Sequence, residues 1–108
     1  MRIGKLNRRV SLQAPVTHKD AGGQEIPAWT EISRPWTDIR YLSGREYATS
    51  DTTVSGATAS IRMRYRTDLN AGMRIVYNGT IFNVLAVLPD EEDRDRVDLA
   101  CSTGINEG

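Results

Sequence analysis

Apolar and polar residues alternate strictly through the second half of the chain. Ala57, Ala59, Ile61, Met63 and Tyr65 interleave with Thr58, Ser60, Arg62 and Arg64. Met73, Ile75 and Tyr77 then lead through Asn78-Gly79 into Thr80, Phe82, Val84, Ala86 and Leu88. A period of two throws successive side chains onto opposite faces, so each run predicts a strand with one face toward a core. Asn-Gly predicts a two-residue hairpin, because both central positions of a type I′ turn need positive φ. That loop sets Ile75 against Phe82 and Met73 against Val84, all on one face. Ile81, Leu85 and Val87 fall on the other face, which makes the second hairpin strand apolar on both sides. Such a strand needs a cover: a helix, the N-terminal arm or another subunit.

The first half reads less regularly. Residues 1–7 form a polar arm, and a strand follows from Arg9 to Val16 with Val10, Leu12 and Ala14 on one face. Asp20, Gly22 and Gly23 turn the chain into a strand around Trp29, from Pro27 to Ile32. Trp36 to Leu42 is a further strand. Ser43 followed by Glu46 has the spacing of a capping box and predicts a short helix over about 44–50. Asp51 to Gly56 is small, polar and aperiodic, which marks 43–56 as a long flexible connection. Pro89 to Asp95 is a charged turn before a last strand carrying Val97, Leu99 and Cys101, and residues 103–108 are a polar tail. The expected fold is mainly β: one domain over 1–108, a small antiparallel barrel of five to six strands with one short helix. Closure into a barrel removes exposed sheet edges.

Composition narrows the chemistry. Fourteen basic and fourteen acidic residues cancel, so no global field draws the chain to nucleic acid or an anionic membrane. No apolar run is long enough to span a bilayer, and the first residues lack a signal-peptide pattern, so the chain is expected to stay where it is made. Cys101 is the only cysteine, so no internal disulfide forms. His18, the only histidine, stands in a polar turn ill suited to a water-excluded relay. Two potential Cys/His ligands fall short of a zinc site, and the acidic turn Asp90–Asp95 lacks the spacing of a calcium loop. No catalytic residue, cofactor or metal is expected. Arg62, Arg64 and Arg66 project from one strand face at roughly 7 Å intervals, a basic stripe able to meet phosphates or carboxylates of a partner. The plain alternative is a solvated face protected from aggregation. No aromatics interleave on that face, which argues against single-stranded nucleic acid.

In order and spacing the chain resembles the head–tail joining proteins of long-tailed bacteriophages, also called head-closure or head–tail adaptor proteins. The resemblance runs from about Gly4 to Ser102. It rests on Leu6-Asn7-Arg8-Arg9-Val10-Ser11-Leu12-Gln13, on Asp20-Ala21-Gly22-Gly23 with Trp29, and on Trp36-Thr37-Asp38-Ile39. It continues through Leu42-Ser43-Gly44-Arg45-Glu46, Ile61-Arg62-Met63-Arg64-Tyr65, Gly72-Met73-Arg74-Ile75 and Ile81-Phe82-Asn83-Val84. Ser-Gly-Arg-Glu between two strands is its sharpest part.

The resemblance implies a non-enzymatic virion protein at the head–tail interface, present in the host cytoplasm before assembly. It implies a ring of identical copies, dodecameric by portal symmetry, that closes the channel after DNA packaging and offers the tail a surface. Partners would be the portal or its adaptor, tail-terminator or tail-tube proteins, and packaged DNA in the channel. For such a ring, Ile81, Leu85 and Val87 are the candidate subunit contact, with Arg62 and Arg64 offering ion pairs to the acidic turn of a neighbour. Thr49, Ser50, Asp51, Thr52, Thr53, Val54, Ser55 and Gly56 are the candidate channel loop. A tail terminator or other tail-tube component is the nearest rival reading. A small β-barrel nucleic-acid module of OB or Sm-like type is a more distant one, since its face should carry aromatics and excess positive charge.

Overall fold

The computed structural model describes residues 6–42 and 56–103. Within them run eight strands: β1 (Arg8–Arg9), β2 (Ser11–Lys19), β3 (Glu25–Ser33), β4 (Trp36–Tyr41), β5 (Ala59–Arg64), β6 (Arg74–Tyr77), β7 (Thr80–Pro89) and β8 (Arg96–Thr103). They form one antiparallel sheet in the order β1-β4-β5-β8-β7-β6-β2-β3. β1 and β2 are a single run of chain interrupted only at Val10, whose amide donates to the Pro35 carbonyl at 3.1 Å. The start of this run pairs with β4, Arg8 opposite Thr37, and its middle with β6, Leu12 opposite Ile75. The sheet therefore curls back on itself as a barrel-like body of six staves, with β3 outside it. The count exceeds the expected five to six because the N-terminal run divides at Val10 and β3 leaves the barrel. No described residue is helical; the helix expected over 44–50 lies outside the described residues.

The strands form where the alternation places them. Ala59, Ile61 and Met63 of β5 face Cys101, Leu99 and Val97 of β8, and all six are fully buried. Ile75 lies opposite Phe82, both without exposed surface, and Met73 and Val84 join them in the core. Burying side chains of this size contributes roughly 1.5–3 kcal/mol each. The hairpin turn has φ 51° at Asn78 and 82° at Gly79, the left-handed pair a type I′ turn requires. Thr37 is the one buried polar residue among those described, and its Oγ1 donates to the Arg8 carbonyl at 2.8 Å. A buried hydroxyl is tolerated because it is bonded.

One departure from strict alternation changes a site residue. Val84 pairs with Cys101 but Ala86 pairs with Ala100, so Leu85 is the extra residue of a β-bulge. Two residues against one reverse the parity of everything beyond. Val87 then lies opposite Leu99 and packs on the core, while Leu88 turns outward opposite Asp98. Val87 accordingly does not share an outer face with Ile81 and Leu85, as simple alternation implied.

Past Gln13, β2 leaves β6 and continues with β3 alone as a two-stranded ribbon, Val16 opposite Ala28 and His18 opposite Ile26. Asp20 Oδ1 closes its tip by accepting from the amides of Gly22 and Gln24, both at 2.9 Å. The ribbon stands beyond the barrel in a molecule 50 Å long and 27 by 25 Å across. Pro15 lies where β2 has lost β6, and Pro27 lies on the sheet's edge strand. Neither place has an outer neighbour to receive an amide proton, which is where sheets admit proline. At the ribbon's root the Arg74 guanidinium sits 4.3 Å from the Trp29 ring, and its Nε donates to Gln13 Oε1 at 2.7 Å.

Candidate functional site

The outward residues of β5 carry the predicted basic stripe, and tertiary structure gives its three arginines different fates. Arg62 stands between Asp38 of β4 and Asp98 of β8. Its Nε and a terminal nitrogen donate to the two carboxylate oxygens of Asp98 at 2.8 and 3.2 Å. Those hydrogen bonds raise the Arg62 pKa above its ordinary value against the opposing effect of partial burial. Arg66, in the turn after β5, clasps Asp68 at 2.6 and 2.8 Å and donates to Ser33 Oγ at 2.8 Å. Arg64 is exposed and makes no side-chain hydrogen bond or ion pair among the described residues. Directly across from it is Arg96. Like charges placed opposite each other on a sheet repel. Arg96 is held by carboxylates of Asp90, Asp95 and Asp98 at 3.5, 3.8 and 3.9 Å.

Arg64 opens onto a hollow of about 690 Å³ at one end of the barrel. Trp36, Arg34, Tyr65 and Arg66 line it with Leu6 and Pro35. Trp36 is 53% exposed, and the Arg9 guanidinium lies 5.8 Å from its ring. Arg9 Nε donates to the Arg34 carbonyl at 3.1 Å, and Arg34 pairs with Glu31 at 2.9 Å. Along the sequence no aromatic shared the arginine face. Trp36 reaches it only because β4 pairs with β5, Thr37 opposite Met63, which sets the start of β4 beside the end of β5. A long-range strand pair of this kind leaves no local signal.

At the same end, the turn between β7 and β8 is acidic. Tyr65 N donates to the Asp95 carbonyl at 3.4 Å, which ties this turn to the end of β5. Carboxylate oxygens of Asp90, Asp93 and Asp95 lie within 4.8 Å of one another, and Arg96 reaches two of the three residues. Glu91 and Glu92 are exposed and have no side-chain partner among the described residues.

The remaining expected site residues are dispersed. Ile81 and Leu85 are half-buried on the outer face of β7. Gly56, exposed with φ 84°, sits over Leu85, whose Cδ1 would lie 3.9 Å from an added Cβ. Thr49 to Ser55 lie outside the described residues. His18 is exposed on the ribbon, far along it from the barrel. Burial pushes the Cys101 thiol up to about 12, which keeps it protonated and a poor nucleophile. The residues brought together are thus charged and aromatic groups on an outer surface.

Residues 1–104 match the family model described as phage head completion protein. Head completion protein gp7 of Enterobacteria phage HK97 is 28% identical, the match covering 96% of this chain and 97% of gp7. The solution structure of protein SF1141 from Shigella flexneri 2a superposes with a TM-score of 0.80 at 28% identity, covering 99% and 100% of the two chains. A chain of the native gene transfer agent virion superposes at 0.57 with 20% identity over 94% of this chain and 98% of that one, a likeness of fold alone. With nearly its whole length matched by the family model, this chain belongs to the phage head completion protein family.

Proposed function

We propose that the chain is a structural, non-enzymatic protein of the virion neck. Copies assemble as a ring beneath the portal or its adaptor once DNA is packaged, close the exit channel, and form the surface on which the tail docks. Twelve copies would match portal symmetry. The observation that carries this reading is the family match over residues 1–104. The surface supports it: charged and aromatic groups gather at one end of the barrel. Ile81 and Leu85 remain candidates for subunit contact on the outer face of β7, and Arg64 takes precedence over Arg62, which is engaged within its own chain. The segment 49–56 is assigned to the channel, where copies from several subunits would converge.

DNA-filled, tailless heads are the material for the test. The expected result is that the protein is present on them, that heads lacking it lose DNA, and that adding the purified chain restores tail attachment. Its absence from filled heads, together with its presence on free tails, would transfer it to the tail-terminator role. Deleting Thr49 to Ser55 should leave the barrel folded and the heads leaky. Tight heads from that deletion would remove the segment from the channel.

A further inference from the structure

Although the whole chain carries no net charge, its barrel end is electrically divided. On the β1–β4–β5 flank, Arg8, Arg9, Arg34, Arg64 and Arg66 outnumber Glu31 and Asp68. On the β7–β8 flank, Asp90, Glu91, Glu92, Asp93 and Asp95 outnumber Arg94 and Arg96. The two excesses are equal and opposite. Both lie at one end of the barrel, as the Tyr65–Asp95 backbone hydrogen bond shows. Around the barrel they are separated by the strand order β4-β5-β8-β7 and so face different directions.

Arg64 is the key to what this division does. It stands opposite Arg96, itself held by Asp90, Asp95 and Asp98, and has no counterion among the described residues. Glu91 and Glu92 are exposed carboxylates in the mirror situation. Trp36, more than half exposed beside Arg64, supplies the flat apolar ground over which acidic side-chain stems could lie.

We propose that the acidic β7–β8 turn of one copy seats in the Trp36–Arg64 hollow of the next, Glu91 and Glu92 pairing with Arg64. This contact rests on the ring reading above and specifies its interface. Donor and acceptor patches at equal height on different flanks make a head-to-tail contact, which repeats by rotation and closes. Duplex DNA is a poorer occupant, because the chain carries no net charge to draw it, while a second copy supplies a matching acidic patch.

The test uses the purified full-length chain in a sedimentation and amide-NMR concentration series reaching about 1 mM, where even contacts of millimolar Kd are populated. The wild-type chain should self-associate, with shifts at the Trp36 indole and the amides of 91–93. Arg64→Glu and the pair Glu91→Lys/Glu92→Lys should each weaken association at least about tenfold, equivalent to roughly 1.4 kcal/mol. Combining all three substitutions should restore it to within about threefold, since every contact again joins opposite charges. Thermal unfolding midpoints should stay unchanged, which separates loss of contact from loss of fold. A wild-type chain monomeric throughout the series overturns the contact. So does association that ignores the reversals, or a triple variant that fails to recover. Salt-dependent duplex-DNA binding abolished by Arg64→Glu, with self-association unmoved, would make DNA the occupant and overturn it equally. The neck reading is judged separately, by presence on filled heads, and survives any of these results.

Discussion

Replacing Arg62 and replacing Arg64 should have opposite consequences, although the two residues stand two apart on one strand face. Arg62 makes a two-pronged pair with Asp98, with about a third and a quarter of the two side chains exposed. Hydrogen bonds between charged groups contribute about 1.5–3 kcal/mol when sheltered, and exposed ion pairs about 0–1 kcal/mol. This half-sheltered pair belongs between, so Arg62→Ala should cost about 1–2 kcal/mol. Asp98 retains Arg96 at 3.9 Å and Arg62 retains the nearby Asp38, so each single substitution keeps part of the network. In a double-mutant cycle with Asp98→Ala the coupling should be about 1 kcal/mol. Arg62→Glu goes further, placing a carboxylate between Asp38 and Asp98, and should cost about 2–3 kcal/mol, the range of a disrupted charged network. Arg64→Glu, by contrast, turns a repulsive pairing with Arg96 into an attractive one and should change stability by less than about 0.5 kcal/mol. Urea unfolding followed by the fluorescence of Trp29 and Trp36 measures all of these. For a domain of this size 1 kcal/mol also moves Tm by about 4–8 °C. Equal destabilisation by Arg62→Glu and Arg64→Glu, or coupling below about 0.3 kcal/mol, would refute the assignment of Arg62 to the fold and Arg64 to a partner.

Other perturbations test other parts of the molecule. Gly79→Ala meets no atom within 4 Å, so its cost is backbone strain alone at φ 82°, about 1 kcal/mol, read from the same urea curves. The hydrogen bond from Arg66 holds the Asp68 carboxyl below its ordinary 3.8, against a smaller effect of burial. A carboxyl depressed on folding stabilises above its unfolded pKa and loses that contribution as pH falls through the folded value. The Asp68 contribution should therefore be intact at neutral pH and fade below about pH 4, and Asp68→Asn should flatten that part of a Tm-against-pH curve. Because Asp68 is largely exposed the effect should be small, a few tenths of a kcal/mol. Cys101, buried and with its pKa raised to about 12, should resist a thiol reagent at neutral pH and react fully in denaturant. Rapid labelling of the native protein would show that β8 opens readily.

Much of this fold was legible in the order of residues alone. Period-two alternation identified β5, the β6–β7 hairpin and β8. Asn78-Gly79 specified both turn type and register, because only left-handed residues fit that loop and a two-residue loop allows one pairing. These are local constraints, satisfied within ten or so residues. The Leu85 bulge was invisible, because two residues opposing one is a property of a strand pair, and it moved Val87 from the outer face to the core. The division of labour among Arg62, Arg64 and Arg66 was equally hidden. In the chain they are equivalent; in the sheet Asp98 comes to one, Asp68 and Ser33 to another, and Arg96 to the third. Trp36 joined them through the pairing of β4 with β5. The sequence thus determined which side chains point in and which point out along most strands. Only long-range pairing decided which outward charges are satisfied within the chain and which are left for another molecule, because charge complementarity depends on distances that the folded sheet alone sets.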